Sequence, residues 1–197
     1  GRPNVFIKVP ATPAGCVAVR KLIAAGVSVN VTLMFNRKHY RDVARAYQDG
    51  LADLVATGGD PSKVASVASF FVSRVDTLVD RLLAEKAQAA AEPLRGRLES
   101  LRGKAALANA KVGYQDYLAA FGTDAWKALA AKGARGQRPL WASTGTKDPA
   151  YSDLLYVENL VGPDTVNTVP EKTLLALLDH GRDLGDTVLA DVDEARR

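Results

Sequence analysis

Cysteine occurs once, at Cys16, and histidine twice, at His39 and His180, in 197 residues. A single cysteine excludes a disulfide framework and a cysteine-built zinc site, and it fits a reducing compartment. Both histidines fall in polar helical stretches, and no spacing suggests a histidine metal cluster or a Ser/His/Asp triad. His180 stands just before Gly181 at the end of a leucine-rich segment, where a role on the helix C-terminal dipole or cap suits it. Long apolar runs are missing too. None approaches a membrane span and no signal sequence precedes the first strand, so the chain is expected to be soluble and cytoplasmic, with no membrane partner. Charge of one sign is not concentrated anywhere: the formal net charge of +4 is spread through mixed-sign stretches such as 95–102. That pattern describes solvated faces and argues against a nucleic-acid partner. There is no repeat of fixed period, and low complexity is limited to the alanines of 87–91.

What is present is a core-forming composition, 47% hydrophobic and 24% charged. It suits one globular domain over 1–197 and argues against general disorder. Apolar, β-branched or aromatic runs stand at 5–9, 28–35, 64–72, 139–143 and 165–169. Segments of helical periodicity lie between them at 15–25, 37–54, 77–91 and 172–178. Alternating strands and helices with near-continuous apolar strands imply a parallel sheet covered by helices, built from right-handed βαβ units. The stretch 77–132 is too long for one crossover helix. It is expected to form a helical hairpin or short array, with breaks near Pro93 and near Gly122, and with Thr123 as the N-cap of the helix carrying Trp126.

Lys8 is the only charge in the run Asn4-Val5-Phe6-Ile7-Lys8-Val9, which Pro10 and Pro13 stop at once. A lysine at the end of a buried parallel strand is a common setting for Schiff-base chemistry. An ammonium is costly to bury, so a desolvated lysine is either paired or loses its proton and becomes a nucleophile. Lowering its pKa from about 10.4 to roughly 7 to 8 takes on the order of 4 kcal/mol, which an apolar strand end can supply. The alternative from this segment alone is a strand that ends at Ile7 with Lys8 already in water.

Chemistry in a parallel α/β barrel gathers at the carboxyl ends of strands, and the other runs also end in polar residues. Asn30 and Thr32, two apart on one strand face, suit holding a substrate oxygen or a water. They could equally be a strand-entrance amide and an ordinary β-former. The third run would put Ser69, Phe71 and Ser73 on one face and let Arg74 emerge at its end, to clamp a phosphate or to pair with Asp76. The fourth run leads into Ser143-Thr144-Gly145-Thr146-Lys147, a hydroxyl-rich loop with a cation that could cradle a phosphate, although the spacing is not that of a P-loop. Asn167 and Thr168 in the fifth run could serve only to close the sheet. An anionic sugar bearing a carbonyl would suit an amine, an amide, hydroxyls and cations on one rim.

With these residues in order, the chain resembles the transaldolase family. The match is carried by Phe6-Ile7-Lys8-Val9-Pro10-Ala11-Thr12, Val29-Asn30-Val31-Thr32-Leu33-Met34-Phe35, Ser69-Phe70-Phe71-Val72-Ser73-Arg74 and Ala142-Ser143-Thr144. The resemblance favours the nucleophilic reading of Lys8. It implies a TIM (β/α)8 barrel, here only about five βα units with a helical insertion at about 77–132. It also implies an enzyme of the pentose phosphate pathway that moves a dihydroxyacetone unit from a ketose phosphate to an aldose phosphate through a lysine Schiff base, with no cofactor and no metal. On that resemblance Lys8 forms the imine, Thr32 helps position the catalytic water, and Asn30 binds hydroxyls of the three-carbon unit. Ser69 and Phe71 line the pocket, and Arg74 and Ser143 bind the substrate phosphate.

Two departures accompany the match. Many family members carry a second phosphate-binding arginine where this chain has Gly145, and Lys147 could substitute as a point charge without the planar fork. The family lysine lies on the fourth of eight strands, whereas Lys8 lies on the first run here. Three strands, with an aspartate and a glutamate for proton transfer, are therefore expected to be missing ahead of an opening Gly1-Arg2-Pro3, and five strands cannot close the barrel. At the other end, 191–197 reads as the start of a further helix. The isolated chain is expected to be impaired as a catalyst, and an exposed edge on its first strand would favour self-association into a homo-oligomer. The alternatives are a related Schiff-base sugar-phosphate aldolase and a non-catalytic partial-barrel partner subunit.

Overall fold

The structure is a computed structural model, and it describes residues 4–197. The opening Gly1-Arg2-Pro3 lies outside the described residues. Strands β1 (Ile7–Pro10), β2 (Val29–Met34), β3 (Ser66–Phe71), β4 (Arg138–Ala142) and β5 (Val166–Asn167) are hydrogen-bonded in chain order. Helices α1 (Pro13–Ala24) and α2 (Arg37–Ala56) follow the first two strands. Helices α3 (Ser73–Ala89), α4 (Leu94–Ser100), α5 (Ala105–Ala120) and α6 (Asp124–Ala130) lie between β3 and β4, α7 (Leu155–Asn159) between β4 and β5, and α8 (Glu171–His180) and α9 (Val192–Arg196) after β5. Among the described residues, no helix is long and apolar enough to cross a membrane.

The chain divides into two compact units, one from 1–70 with 113–140 and the other from 71–112 with 141–197. In the first unit β1, β2 and β3 are parallel neighbours. Val29 and Val31 project from one face of β2 and are fully buried, as are Val19 and Ile23 of α1 and Tyr47 and Leu51 of α2. Thr12 caps α1 by accepting from the Gly15 amide at 3.0 Å, and Pro13 occupies the first turn. Gly15 is required, because a Cβ there would collide with the Pro10 carbonyl oxygen. The expected Thr123 cap is present, accepting from the Trp126 amide at 3.1 Å, and Trp126 packs edge-on against Phe121 with centroids 4.7 Å apart.

The second unit is organised by α3. Its buried Asp76 and Asp80 receive hydrogen bonds from backbone and tyrosine donors, and the Trp141 indole donates to the Leu160 carbonyl at 2.8 Å.

Strand boundaries differ from the sequence expectation by one or two residues, and three of the differences are the most informative. The first strand begins at Ile7, not residue 5, because its ladder starts where the Ile7 amide donates to Ser28 at 2.9 Å. The third strand stops at Phe71, so Ser73 opens α3 and does not share a strand face with Ser69 and Phe71. The fifth strand is two residues long. The region 77–132 is a series of helices with the expected interruptions near Pro93 and Gly122, and a further one at 101–104. The short α7 was not anticipated, whereas α9 stands where the last segment promised a helix.

Candidate active site

In the first unit, the β1–β2 register pairs Lys8 with Asn30 and Pro10 with Thr32. In-register residues of neighbouring parallel strands point to the same side of the sheet, so the amine and the amide share a face. The next strand adds Ser69, 3% exposed, whose hydroxyl donates to Asn30 Oδ1 at 2.7 Å. This bond fixes the amide: with Oδ1 turned to Ser69, the Nδ2 donors are aimed elsewhere. Thr32 is buried, and its carbonyl accepts from the Ala11 amide at 2.8 Å, which draws the segment after β1 onto β2.

Immediately after Thr32 the β2–β3 register slips between Val31 and Met34, and Leu33 takes a left-handed conformation at φ 62°. The extra residue is a bulge that resets the alternation, exposing Leu33 while Met34 is fully buried. A branched side chain in this region costs on the order of 1–3 kcal/mol, a strain that accumulates at functional sites.

Lys8 itself is exposed. The expectation of an amine already held in a dry strand end is therefore corrected for this chain. The cause is topological: β1 is the edge of the sheet, and the flanking Val5, Phe6 and Ile7 are 46%, 40% and 44% exposed.

In the second unit, the start of α3 meets the loop after β4. The Val72 and Ser73 amides donate to the carbonyls of Ala142 and Ser143, both at 3.0 Å, and the Ser73 and Ser143 hydroxyls lie 2.9 Å apart. Ser143 is held at φ 60°, a conformation that sets its hydroxyl against the helix start at a steric cost. Arg74 is exposed and its guanidinium stands over the half-buried Phe71 ring, 4.9 Å from the centroid. The alternative partner, Asp76, is engaged elsewhere: it accepts from the Ala106 amide at 2.7 Å and from the Tyr156 hydroxyl at 2.8 Å. Burial raises the Asp76 carboxyl above the ordinary carboxylate range, and burial together with that neighbouring carboxylate raises Tyr156.

Lys147 is exposed and lines a cavity of about 430 Å³ together with Asp80, Arg102, Asp148 and Tyr151. A Cβ at Gly145, the position where an arginine is common in the family that the sequence resembles, would stand 3.3 Å from Pro170. The polar residues at the end of β5 and just after it are engaged with β4 and the loop that follows it: Asn167 accepts from the buried Thr144 hydroxyl at 2.8 Å, and Thr168 donates twice to the Trp141 carbonyl. His180 closes α8 as expected, but Gly181 after it is extended at φ −67° and the imidazole contacts Asp153 and Asp179. Among the described residues, no group of three or more His, Cys, Asp or Glu is placed to hold a metal ion.

The structure thus brings Lys8, Asn30 and Ser69 onto neighbouring strands of one unit, with Thr32 one step along β2. It brings Phe71, Arg74 and Ser143 to the start of α3 in the other. Sequence reasoning gave Ser73 no binding role. The available signal was the helix start implied by Ser-Arg-Val-Asp after an apolar run.

The sequence model of the family described as Transaldolase/Fructose-6-phosphate aldolase matches residues 1–197. A transaldolase of Saccharopolyspora erythraea is 52% identical over 196 residues, which cover 100% of this chain and 51% of the relative. One of Acidothermus cellulolyticus is 54% identical over 187 residues, covering 95% and 48%. One of Trichodesmium erythraeum is 51% identical over 181 residues, covering 91% and 48%. The chain spans about half the length of these curated relatives.

Proposed function

The chain belongs to the transaldolase/fructose-6-phosphate aldolase family, and from that premise we propose that it carries the Schiff-base half of a cytoplasmic transaldolase of the pentose phosphate pathway. The substrates are a ketose phosphate and an aldose phosphate. The observation that supports this most is the amine–amide–hydroxyl series across β1, β2 and β3, in which Lys8 is in register with Asn30 and Asn30 is oriented by Ser69.

In the proposed reaction the unprotonated Lys8 Nζ adds to the ketose carbonyl carbon, and loss of water gives an iminium. The bond between C3 and C4 breaks, its electron pair moving into the iminium to leave an enamine, while the C4 hydroxyl gives up its proton and departs as the aldehyde. The enamine carbon then adds to the carbonyl of a second aldose, and water releases the new ketose from Lys8. Asn30 donates to the hydroxyls of the three-carbon unit, Thr32 positions the water, and Ser69 and Phe71 line the pocket. Arg74 and Ser143 bind the phosphate, with Lys147 as an additional cation. Proton transfer is assigned to carboxylates beyond this half-length chain, as the resemblance implies.

The test is to incubate the full-length gene product with fructose 6-phosphate, reduce with borohydride and locate the adduct by mass spectrometry. A dihydroxyacetone adduct on Lys8, followed by formation of a seven-carbon ketose phosphate when erythrose 4-phosphate is added, is the expected result. Adduct formation with release of a free three-carbon product to water would make the protein an aldolase. No adduct would leave the partner-subunit reading.

A further inference from the structure

Two carboxylates of α3 do no obvious chemistry, yet they are among the most heavily bonded groups of the second unit. Asp76 and Asp80 stand one helical turn apart, on the same side of α3. Both are buried, 2% and 8% exposed. Each is bonded in the same way, accepting from one backbone amide before or at the start of α5 and one tyrosine hydroxyl from the segment after β4. Asp76 takes the Ala106 amide at 2.7 Å and Tyr156 at 2.8 Å, and Asp80 takes the Gly103 amide and Tyr151, both at 2.9 Å. The site is built to admit the tyrosine: Gly103 sits at φ 72°, and a Cβ there would stand 3.0 Å from the Tyr151 ring. Burial, then the bond to Asp80, raises the Tyr151 hydroxyl to about 12, so it remains a donor across the working range.

The same helix holds the other end of that segment, since Ser73 in its first turn bonds Ser143 through backbone and hydroxyl. Residues 143–156 are therefore clamped to α3 at both ends. Their middle is braced by the Thr146 hydroxyl donating to the Ser152 carbonyl at 2.9 Å and by the Ala150 amide donating to Asp148 at 2.9 Å. We propose that Asp76 and Asp80, with Tyr156 and Tyr151, are positioning residues for recognition of the substrate phosphate: they fix the loop that presents Ser143 and Lys147. This rests on the transaldolase reading. Each carboxylate oxygen of the pair is already engaged by a loop or helix donor, so these groups serve as fixed acceptors that hold the loop and not as contacts to the phosphate.

The experiment compares two donor sugars, fructose 6-phosphate and unphosphorylated fructose, on the full-length gene product and on its Tyr151→Phe, Tyr156→Phe, Asp80→Asn and Asp80→Ala variants. In Tyr151→Phe and Tyr156→Phe, KM for fructose 6-phosphate is expected to rise about tenfold with kcat changed less than twofold. The inhibition constant for inorganic phosphate should rise in parallel, and kcat/KM for fructose should stay within twofold of wild type. Asp80→Asn, whose amide oxygen can still accept from the Gly103 amide while its NH2 takes the other oxygen's place and donates to the Tyr151 hydroxyl oxygen, should recover most of the KM lost in Asp80→Ala. Equal losses for both sugars, or no change for either in variants that fold with wild-type circular dichroism, would overturn the proposal. A wild-type protein that traps no sugar on Lys8 would overturn the transaldolase reading and this inference with it, a result distinct from a wild type that traps normally and variants that fail to separate the two sugars.

Discussion

The amine end of the proposed chemistry, held within the first unit, and its anion end, held within the second, are built in opposite ways. Around Lys8 the strand is at the sheet edge, the lysine is exposed, and among the described residues the joining side-chain bond is that from Ser69 to Asn30. Around Ser143 there are two backbone bonds, a hydroxyl pair, a left-handed serine and, further along the loop, two buried carboxylates with two donors each. Under the proposed mechanism this contrast has a physical basis. A phosphate keeps one shape and charge throughout, so fixed donors serve it at every step. The carbon attached to lysine passes between planar and tetrahedral geometry, so the amine benefits from a tether that moves.

The largest effect should come from the amine end and touch chemistry alone. Lys8→Ala is expected to abolish borohydride trapping and lower kcat/KM by about a thousandfold or more, as loss of a covalent nucleophile does. Thermal unfolding should barely change, because exposed substitutions usually stay within about 0.5 kcal/mol. A stability loss equal to that of a core substitution would break the contrast, since Lys8 would then be structural.

At the anion end, structure and binding should fall together. Ser143→Val places a β-branched residue at φ 60° and removes the hydroxyl. It should lower the melting temperature by on the order of 5 °C, and raise KM for the ketose phosphate. Ser143→Gly relieves the backbone but also loses the bond to Ser73, so it should raise KM without the thermal penalty. Equal melting temperatures for the two variants would mean that the left-handed serine stores no strain.

Ser69→Ala tests the join at the amine end. Removing that donor should cost about 1 kcal/mol in urea denaturation, and free the Asn30 amide to turn, with a several-fold loss in kcat/KM. An unchanged kcat/KM would show that Asn30 is oriented by something other than Ser69.

What was legible in the sequence follows the same division. Asn30 and Thr32 are two apart on one strand, so their shared face could be read from spacing. The joining of Lys8 and Ser69 to Asn30 depends on strand pairing, which the near-continuous apolar runs do not contain and which only the family resemblance suggested. The bulge at Leu33 could not be read, because Leu-Met-Phe continues an unbroken apolar run and nothing in it marks a positive φ. Ser73 was placed on the strand by extending the alternation past the point where Val72 gives way to a helix. Asp76 and Asp80 carry an i,i+4 spacing that on a helix surface signals solvent or ion pairs. Only the distant Tyr151, Tyr156, Gly103 and Ala106, brought in by tertiary structure, make them buried acceptors. The exposure of Lys8 was likewise a matter of sheet order, which a single strand's pattern does not contain.

The smallest effect concerns the outer margin of the anion end, where His180 at the end of α8 contacts Asp179 at 3.0 Å and Asp153 at 3.1 Å. Asp153 lies between Tyr151 and Tyr156, so this contact reaches the clamped loop. Both ring nitrogens face carboxylates, and only the imidazolium has two N–H donors. The hydrogen bonds to Asp179 and then Asp153 accordingly raise the His180 pKa above its ordinary 6.5. A raised folded-state value means that the folded chain holds the proton more tightly than the unfolded one. The contribution is fully present below the ordinary histidine value and is lost as pH rises through the raised one. His180→Gln should therefore lower the melting temperature slightly near pH 6, with the difference from wild type shrinking toward pH 9. Because the pair is exposed, it should also shrink in about 0.5 M salt. A difference that grows with pH would mean that neutral His180 is the form the loop prefers, and the margin would then belong to the hydrogen-bonded web and not to the surface.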